Sequence, residues 1–309
     1  ASNNYGWPIQ ISVVGSNDRY FYDAWGITGD LAVVSWYDGV LSDEDVLNLY
    51  ECLAVGQEPV LTGYQKEVFS DHPQVYARLN EQLESLKVRD SMSPWEIFGG
   101  SVSGQISFNS PSEVLGQSIA TFDGNSAVVF RQSGYRPVNR TQLSIEFVAR
   151  PQRESFEGEP DESIAETRDN NDSFEHGFIL RRSNAGNFYL LIRSGGSTER
   201  VDFSFIPDTD KQHHYVFSVD KTEKTVFLYV DGELAETSET TPALMDSKHN
   251  YNDNGLYIYL NRPTSLHVCG HIGGSVSNGY VGELGEFSVY DYALSHFKVK
   301  AHYDAMKVV

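Results

Sequence analysis

Three side chains near the carboxyl-terminal end of the chain have the types and spacing of metal ligands. His267, Cys269 and His271 alternate along one segment, so on a β-strand they would point to one face. Imidazole and thiolate ligands suit zinc. An extended strand would hold its end residues too far apart to share one ion, so a zinc site here requires a bend. The alternative is a plain strand, with Cys269 facing the core and both histidines at its rim.

A second group of candidates consists of carboxylates that would suit glycoside hydrolysis. Retaining glycosidases need two carboxylates about 5 to 5.5 Å apart on a rigid scaffold. The nearest suitable spacing joins Glu157, Glu159 and Glu162, but that run contains Gly158 and Pro160. It lies in a strongly acidic segment in which no rigid sheet is expected to fix the separation. No Ser-His-Asp set, phosphate loop or dinucleotide fingerprint is recognisable either. We therefore expect a protein without enzymatic activity.

Four tyrosines are candidates for binding a carbohydrate. Tyr135, Tyr251, Tyr257 and Tyr259 lie in or beside segments rich in Asn, Asp and Gly. Aromatic rings stack on sugar rings, and polar neighbours bond to sugar hydroxyls. The alternative is that these tyrosines pack within strands, as aromatic residues commonly do in β-rich chains.

Composition restricts the class of partner. The 309-residue chain has a formal net charge of -20, which repels nucleic acid and anionic membrane surfaces. No apolar run approaches the roughly 18 residues that would span a bilayer, so we expect no membrane insertion. Cys52 and Cys269 are the two cysteines. Two cysteines in a chain of this size are more often free thiols than a disulfide framework.

The elements that would position these candidates are mostly β-strands. Short apolar runs of period two are separated by Gly, Asn, Asp and Pro, which predicts an antiparallel sandwich or barrel. Asp231-Gly232 predicts a tight primed turn between two strands. Ser295 is a predicted helix N-cap, with a helix extending to Tyr303. Residues 151–176 hold nine carboxylates against two arginines, which predicts a solvated acidic loop inserted between strands.

The end of the chain repeats a segment near its beginning. Residues 29–50 and 282–303 are identical at nine of 22 positions with a constant offset of 253. Such self-similarity marks a repeated unit. We expect residues 1–56 to be the carboxyl-terminal part of a first domain, followed by a linker at 57–66 and a complete domain at 67–309. Other subunits, or an upstream part of the same precursor, would then complete the first domain.

An ordered set of motifs resembles the laminin-G-like domains of the concanavalin-A-like lectin type. The set consists of SDHPQVYARLNE (70–81), ATFDGNSAVVF (120–130), TQLSIEFVARP (141–151), HHYVFSVD (213–220), VFLYVDGELAET (226–237) and the segment from HIGG at 271 to Tyr303. The resemblance implies an all-β, concanavalin-A-like antiparallel β-sandwich, or jelly roll. In this chain it would be preceded by the carboxyl-terminal part of a second copy.

The resemblance also implies a possible calcium site. Family members often hold structural calcium through the Asp of "F-D-G" and the acids of "I-D-E". Asp123 and Glu286 occupy two of these positions, whereas Gly285 stands in place of the family's second Asp. Calcium takes six to eight oxygen ligands, including carboxylates.

These observations favour a binding protein over a catalyst. We expect a non-catalytic structural or adhesion component of a larger extracellular or virion assembly, such as a phage capsid decoration or fibre. It would bind protein or glycan surfaces. The alternative is a carbohydrate-binding module of a larger glycoside hydrolase.

Overall fold

The computed structural model describes residues 62–307 except 82–84, 93–98, 131–141, 156–157, 169–176, 195–196, 241–264 and 273–274. The predictions for residues 1–56 and for Tyr135, Tyr251, Tyr257 and Tyr259 therefore lie outside the described residues.

The described residues form short strands and two helices, α1 (Gly63–Ser70) and α2 (His296–Met306). The strands are β1 (Val75–Ala77), β2 (Lys87–Val88), β3 (Gly100–Ser103), β4 (Ser107–Pro111), β5 (Ser118–Asp123), β6 (Ala127–Phe130), β7 (Gln142–Pro151), β8 (Glu162–Arg168), β9 (Gly177–Arg182), β10 (Phe188–Ser194), β11 (Ser197–Asp202), β12 (His213–Asp220), β13 (Thr225–Val230), β14 (Glu233–Glu239), β15 (Ser265–Val268), β16 (His271–Ile272), β17 (Val276–Ser277) and β18 (Val281–Tyr290). Neither helix is long and apolar enough to cross a bilayer.

Two eight-stranded antiparallel sheets and one small hairpin organise these strands. The first sheet has the order β14-β13-β12-β7-β18-β5-β4, with β1 also paired to β18. The second sheet has the order β11-β10-β9-β8-β15-β6-β3-β2. β16 and β17 pair with each other. The predicted all-β antiparallel sandwich is confirmed.

The core lies between the two sheets. Phe188 of the second sheet meets Tyr215 and Phe217 of the first sheet edge to face, with ring centroids 5.4 Å and 5.2 Å apart. Apolar residues of both sheets join these rings in one buried cluster. This arrangement explains the period-two patterning, since alternate side chains on each strand face the opposite sheet.

Both helices pack on the outer face of the first sheet. Tyr64 and Val68 of α1 and Met306 of α2 share a buried cluster with Ile119 of β5 and Val148 of β7. Helix α2 agrees with the sequence prediction, and its Ser295 cap is confirmed by a hydrogen bond from the Lys298 amide to the Ser295 hydroxyl.

Helix α1 overlaps residues that were predicted to be a linker. Thr62 and Gln65 form a capping box, in which each side chain accepts a hydrogen bond from the other's backbone amide. The Thr-x-x-Gln spacing is a local signal of a helix start. This signal is present in the sequence at residues that were predicted to be a linker.

The acidic segment 151–176 is not one solvated loop. Its middle part forms β8, which pairs with β9 on one side and β15 on the other. Ile164 and Ala165 are buried in the core, and Glu162 and Glu166 are buried as well. Arginines on β9 neutralise these two carboxylates, so the loop prediction from the charge pattern was wrong for this part of the segment.

The predicted hairpin is confirmed, since Asp231 and Gly232 both have positive φ and join β13 to β14.

Candidate functional site

A polar cleft of roughly 400 Å³ opens where three connections meet at one end of the sandwich. It lies among the β5–β6 turn, the β7–β8 connection and the segment around β17. The residues that line it are Asp123, Gly124, Asn125, Arg153, Glu159, Pro160, Val276, Ser277, Asn278, Gly279 and Val281. None of these residues of the described chain is aromatic, so the cleft offers mainly charged, amide and hydroxyl groups.

The β5–β6 wall of the cleft is a short turn held by Asp123. The Asp123 carboxylate accepts hydrogen bonds from the Asn125 amide (2.8 Å) and the Ser126 hydroxyl (3.0 Å). Gly279 packs directly on this turn, where a Cβ would lie 1.9 Å from the carbonyl oxygen of Gly124. Only glycine permits this approach, so the turn and the β17 segment form one wall.

A network of arginines and carboxylates stiffens the β7–β8 wall. Arg153 donates two hydrogen bonds to Glu162 Oε1 (3.1 and 2.7 Å) and also bonds Glu159. The fully buried Arg182 donates to Glu162 Oε2 (2.9 Å). Glu162, which stood in the possible hydrolase spacing, is therefore buried and paired with two guanidinium groups. Glu159 shares one of them, and Glu157 lies outside the described residues.

The segment expected to be a single strand from His267 to His271 is bent. β15 ends at Val268, and Cys269 has φ +63 before the chain turns into β16. Cys269 is fully buried in the core, which matches the expectation that it faces inward. The bend places the rings of His267 and His271 in a stack with centroids 5.4 Å apart. The structure therefore brings the two histidines together and leaves the cysteine away from them.

The two acids of the possible calcium site do not meet. Asp123 pairs with Val281 at one end of β18, and Glu286 lies five residues farther along the strand. That separation corresponds to roughly 15 Å along a strand. The two residues thus lie at different positions along the first sheet, and calcium binding stays a prediction.

Glu286 is engaged by protein groups instead. Its carboxylate accepts hydrogen bonds from the Tyr76 hydroxyl and the Gln117 amide, and Arg78 Nε lies 3.8 Å away. Burial raises the pKa of Glu286 to about 7, against the lowering effect of Tyr76 and Arg78.

A second buried carboxylate connects the helices to the first sheet. Glu146 of β7 is fully buried and lies 2.7 Å from His214 Nε2 and 3.0 Å from His302 Nδ1. The Tyr290 hydroxyl (2.6 Å) and the Tyr64 hydroxyl (3.2 Å) also donate to it. Burial alone would raise the pKa of Glu146, but the charge of His302 and the histidine hydrogen bonds lower it. The members of this cluster are far apart along the chain, so no local sequence pattern marks it.

The matching family model covers residues 122–300, more than half of the chain, and is described as the concanavalin A-like lectin/glucanases superfamily. The chain belongs to this superfamily. This membership confirms the resemblance found in the sequence motifs. The polar cleft of this superfamily member is built from segments inside the matched range, from Asp123 to Val281.

Solved structures of similar fold include binding domains of botulinum neurotoxins. One is the receptor-binding domain of mosaic serotype C/D, with a TM-score of 0.51, 11% identity and coverage of 76% of this chain and 51% of that chain. Another is the binding domain of neurotoxin DC in complex with SialylT, with a TM-score of 0.52, 11% identity and coverage of 77% and 52%. The same domain in complex with rat synaptotagmin II has a TM-score of 0.50, 11% identity and coverage of 77% and 52%.

This likeness concerns the fold alone, because the sequence identity is low. The chain spans about half the length of these neurotoxin binding domains. A search of curated protein sequences found no match.

Proposed function

We propose that this superfamily member is a non-catalytic binding component of a larger extracellular or virion assembly and that it recognises a glycan or protein surface. The observation that carries the proposal is the polar cleft at the loop end of the sandwich. Loops held at the end of a rigid β-scaffold are common positions for recognition sites.

The chemistry of the cleft favours a hydroxyl-rich ligand such as a glycan. Asp123, Asn125 and Ser277 are exposed along the cleft and offer both hydrogen-bond donors and acceptors. Arg153 and Glu159 add opposite charges that largely cancel each other. A wall of this kind suits neutral polar groups better than a strongly charged partner.

The repeated segment supports placement in a multidomain assembly. We propose that residues 1–56 supply the closing part of a first jelly roll, which an upstream part of the same precursor or another subunit completes.

The neurotoxin domains of similar fold include one in complex with SialylT and one in complex with rat synaptotagmin II. Those complexes support the general suitability of this fold for binding glycans and proteins.

A glycan-array comparison tests the proposed site. Ser277→Trp places a large ring in the cleft, and we expect it to abolish glycan signals that the unchanged chain gives. Thr237→Trp is the matched control because Thr237 is exposed on the edge strand β14, which contributes nothing to the cleft. Equal loss in both variants, or array binding untouched by Ser277→Trp, would remove the cleft from the proposal.

The alternative function is a carbohydrate-binding module of a larger glycoside hydrolase. It is favoured by a superfamily description that includes glucanases beside lectins. Isolation of the native assembly distinguishes the two proposals. Stable association with particle or fibre proteins supports the structural role, whereas a hydrolase domain in the same polypeptide supports the module.

A further inference from the structure

We propose that Glu166, His267 and His271 form a binding site for a divalent transition metal, with Zn²⁺ as the ion that the ligand types suit best. One carboxylate oxygen of Glu166 and one nitrogen of each imidazole all lie within 4.8 Å of one another. The set differs from the one suggested by spacing alone, because a glutamate from a neighbouring strand replaces Cys269. The proposal concerns this cluster and does not depend on the ligand of the cleft.

Strand pairing creates the first half of the site. Glu166 of β8 is directly opposite His267 of β15 in the antiparallel register. Directly opposed residues project from the same face of a sheet, with Cβ atoms about 4.5 to 5.5 Å apart. The next pair along the strands, Ala165 and Val268, belongs to the core, so Glu166 and His267 lie on the opposite, outer face of the second sheet.

The turn after β15 supplies the second half. The left-handed conformation of Cys269 bends the chain after β15, and His271 then begins β16, which pairs with β17. His271 Nδ1 comes within 2.8 Å of Glu166 Oε1. Its ring is nearly parallel to that of His267, with an interplanar angle of 18°.

Neighbouring groups contact both ring nitrogens of His267 and so fix the orientation of the ring. The Ile272 amide donates a hydrogen bond to His267 Nδ1 (3.1 Å), and the Ser265 hydroxyl lies 2.8 Å from Nε2. An ion bound at Nδ1 would displace the Ile272 hydrogen bond, and the Nε2 proton would then be donated to the Ser265 hydroxyl. A metal-binding imidazole is commonly oriented by a hydrogen bond at its other nitrogen.

The carboxylate is oriented in a similar way. The Ser163 hydroxyl and Arg181 Nη2 each lie 3.3 Å from Glu166 Oε2. These contacts direct Oε1 toward His271. Two imidazoles and one carboxylate favour zinc or a similar transition metal over calcium, which takes oxygen ligands.

A bound ion would fasten the β16–β17 hairpin to the second sheet. Glu166 is fully buried and His267 is 3% exposed, whereas the side chain of His271 is 18% exposed. The ion would therefore be reached from the side of His271, where a water molecule can complete a four-coordinate site. Val276 and Ser277 of the same hairpin line the cleft, so the ion would also order one wall of it.

Direct metal measurement tests the proposal on the full chain, prepared without an affinity tag and treated with a chelator. We expect calorimetric titration with Zn²⁺ alone to show one ion per chain, with binding weakened at least about tenfold in His267→Ala and in His271→Ala. His296→Ala is the matched control, since the His296 side chain is 55% exposed and lies outside the cluster. Cys269→Ala is also expected to bind Zn²⁺ normally.

A second measurement uses the unchanged chain and so does not require that any variant folds. Titration with Co²⁺ is expected to give the visible bands of a nitrogen and oxygen site without thiolate-to-metal charge transfer. Absence of stoichiometric Zn²⁺ binding by the unchanged chain would overturn the proposal. A thiolate signature, or equal weakening in His296→Ala, would overturn it as well.

Discussion

At the residue scale, the chain buries several carboxylates and gives each one a specific set of partners. Glu146 is bonded by two histidines and two tyrosines, whereas Glu162 is bonded by two arginines. An isolated buried charge would be strongly destabilising, so these partners are what allow the charges inside the fold. Stability is accordingly expected to depend on pH.

The His302–Glu146 contact predicts a loss of stability at alkaline pH. Burial lowers the pKa of His302, but the charge of Glu146 and the hydrogen bonds to Glu146 and Asp71 outweigh it, so the pKa is raised above 6.5. A raised folded-state pKa gives stability that is complete below pH 6.5 and is lost as the pH rises through the folded-state value. The lowered pKa of Glu146 gives stability that is complete above pH 4.5 and is lost as the pH falls toward the folded-state value.

We therefore expect His302→Gln to remove most of this alkaline decline. Near pH 6 the variant should lose roughly 1.5 to 3 kcal/mol of unfolding free energy, as expected for hydrogen bonds to a charged group. Urea unfolding at several pH values measures both effects. His296→Gln, at an exposed position of the same helix, is the control. The same pH slope in His302→Gln and in the unchanged chain would contradict this account of the cluster.

At the element scale, β18 organises the first sheet by changing partners along its length. Its first part pairs with β5, and its later residues pair with β1. The change occurs at an irregularity between Gly285 and Ser288, where Glu286 has φ +52. β-bulges of this kind bend a strand and redirect its side chains. Here the irregularity directs Glu286 toward Tyr76 and Gln117.

Gly285→Ala is expected to destabilise the protein by about 1 to 3 kcal/mol through overpacking. A Cβ at this position would lie 2.5 Å from Cγ2 and 2.9 Å from Cβ of Ile119 on β5. Urea unfolding of Gly285→Ala, Ile119→Ala and the double variant measures the coupling between the two sites. The double variant should lose less stability than the sum of the single losses, because Ile119→Ala removes the clashing methyl group. Simple additivity would show that this contact is not the cause.

At the scale of the whole molecule, the described residues form a two-sheet sandwich with a shared core. Both eight-stranded sheets, their shared core and the two helices are formed by residues from Thr62 onward. A core of this extent resembles that of an independently stable domain. We propose that the amino-terminal repeat belongs to a different folding unit.

A chain beginning at residue 57 is accordingly expected to fold alone. Its thermal midpoint for the main transition should match that of the full chain within a few degrees. Calorimetry and circular dichroism of the two chains provide the measurement. An unfolded or aggregated 57–309 chain would show that residues 1–56 are part of the same core.

Local patterns in the sequence were sufficient for much of this fold. Period-two strands, the Asp231-Gly232 turn and the Ser295 cap each depend on residues close together in the chain, so each can be predicted from the local sequence. The ordered family motifs identified the superfamily. The Thr62–Gln65 capping box is equally local, but these residues were predicted to be part of a linker.

Tertiary structure alone decided the chemistry of the sites. Glu166 and His267 are 101 positions apart and meet only because β8 pairs with β15. The acidic composition of 151–176 favoured a loop prediction, because the sequence alone does not show that arginines on β9 neutralise two of its buried carboxylates. The bend at Cys269 and the distance between Asp123 and Glu286 likewise depend on strand register. A linear pattern specifies which face a side chain takes, whereas pairing between distant strands specifies which side chains it meets.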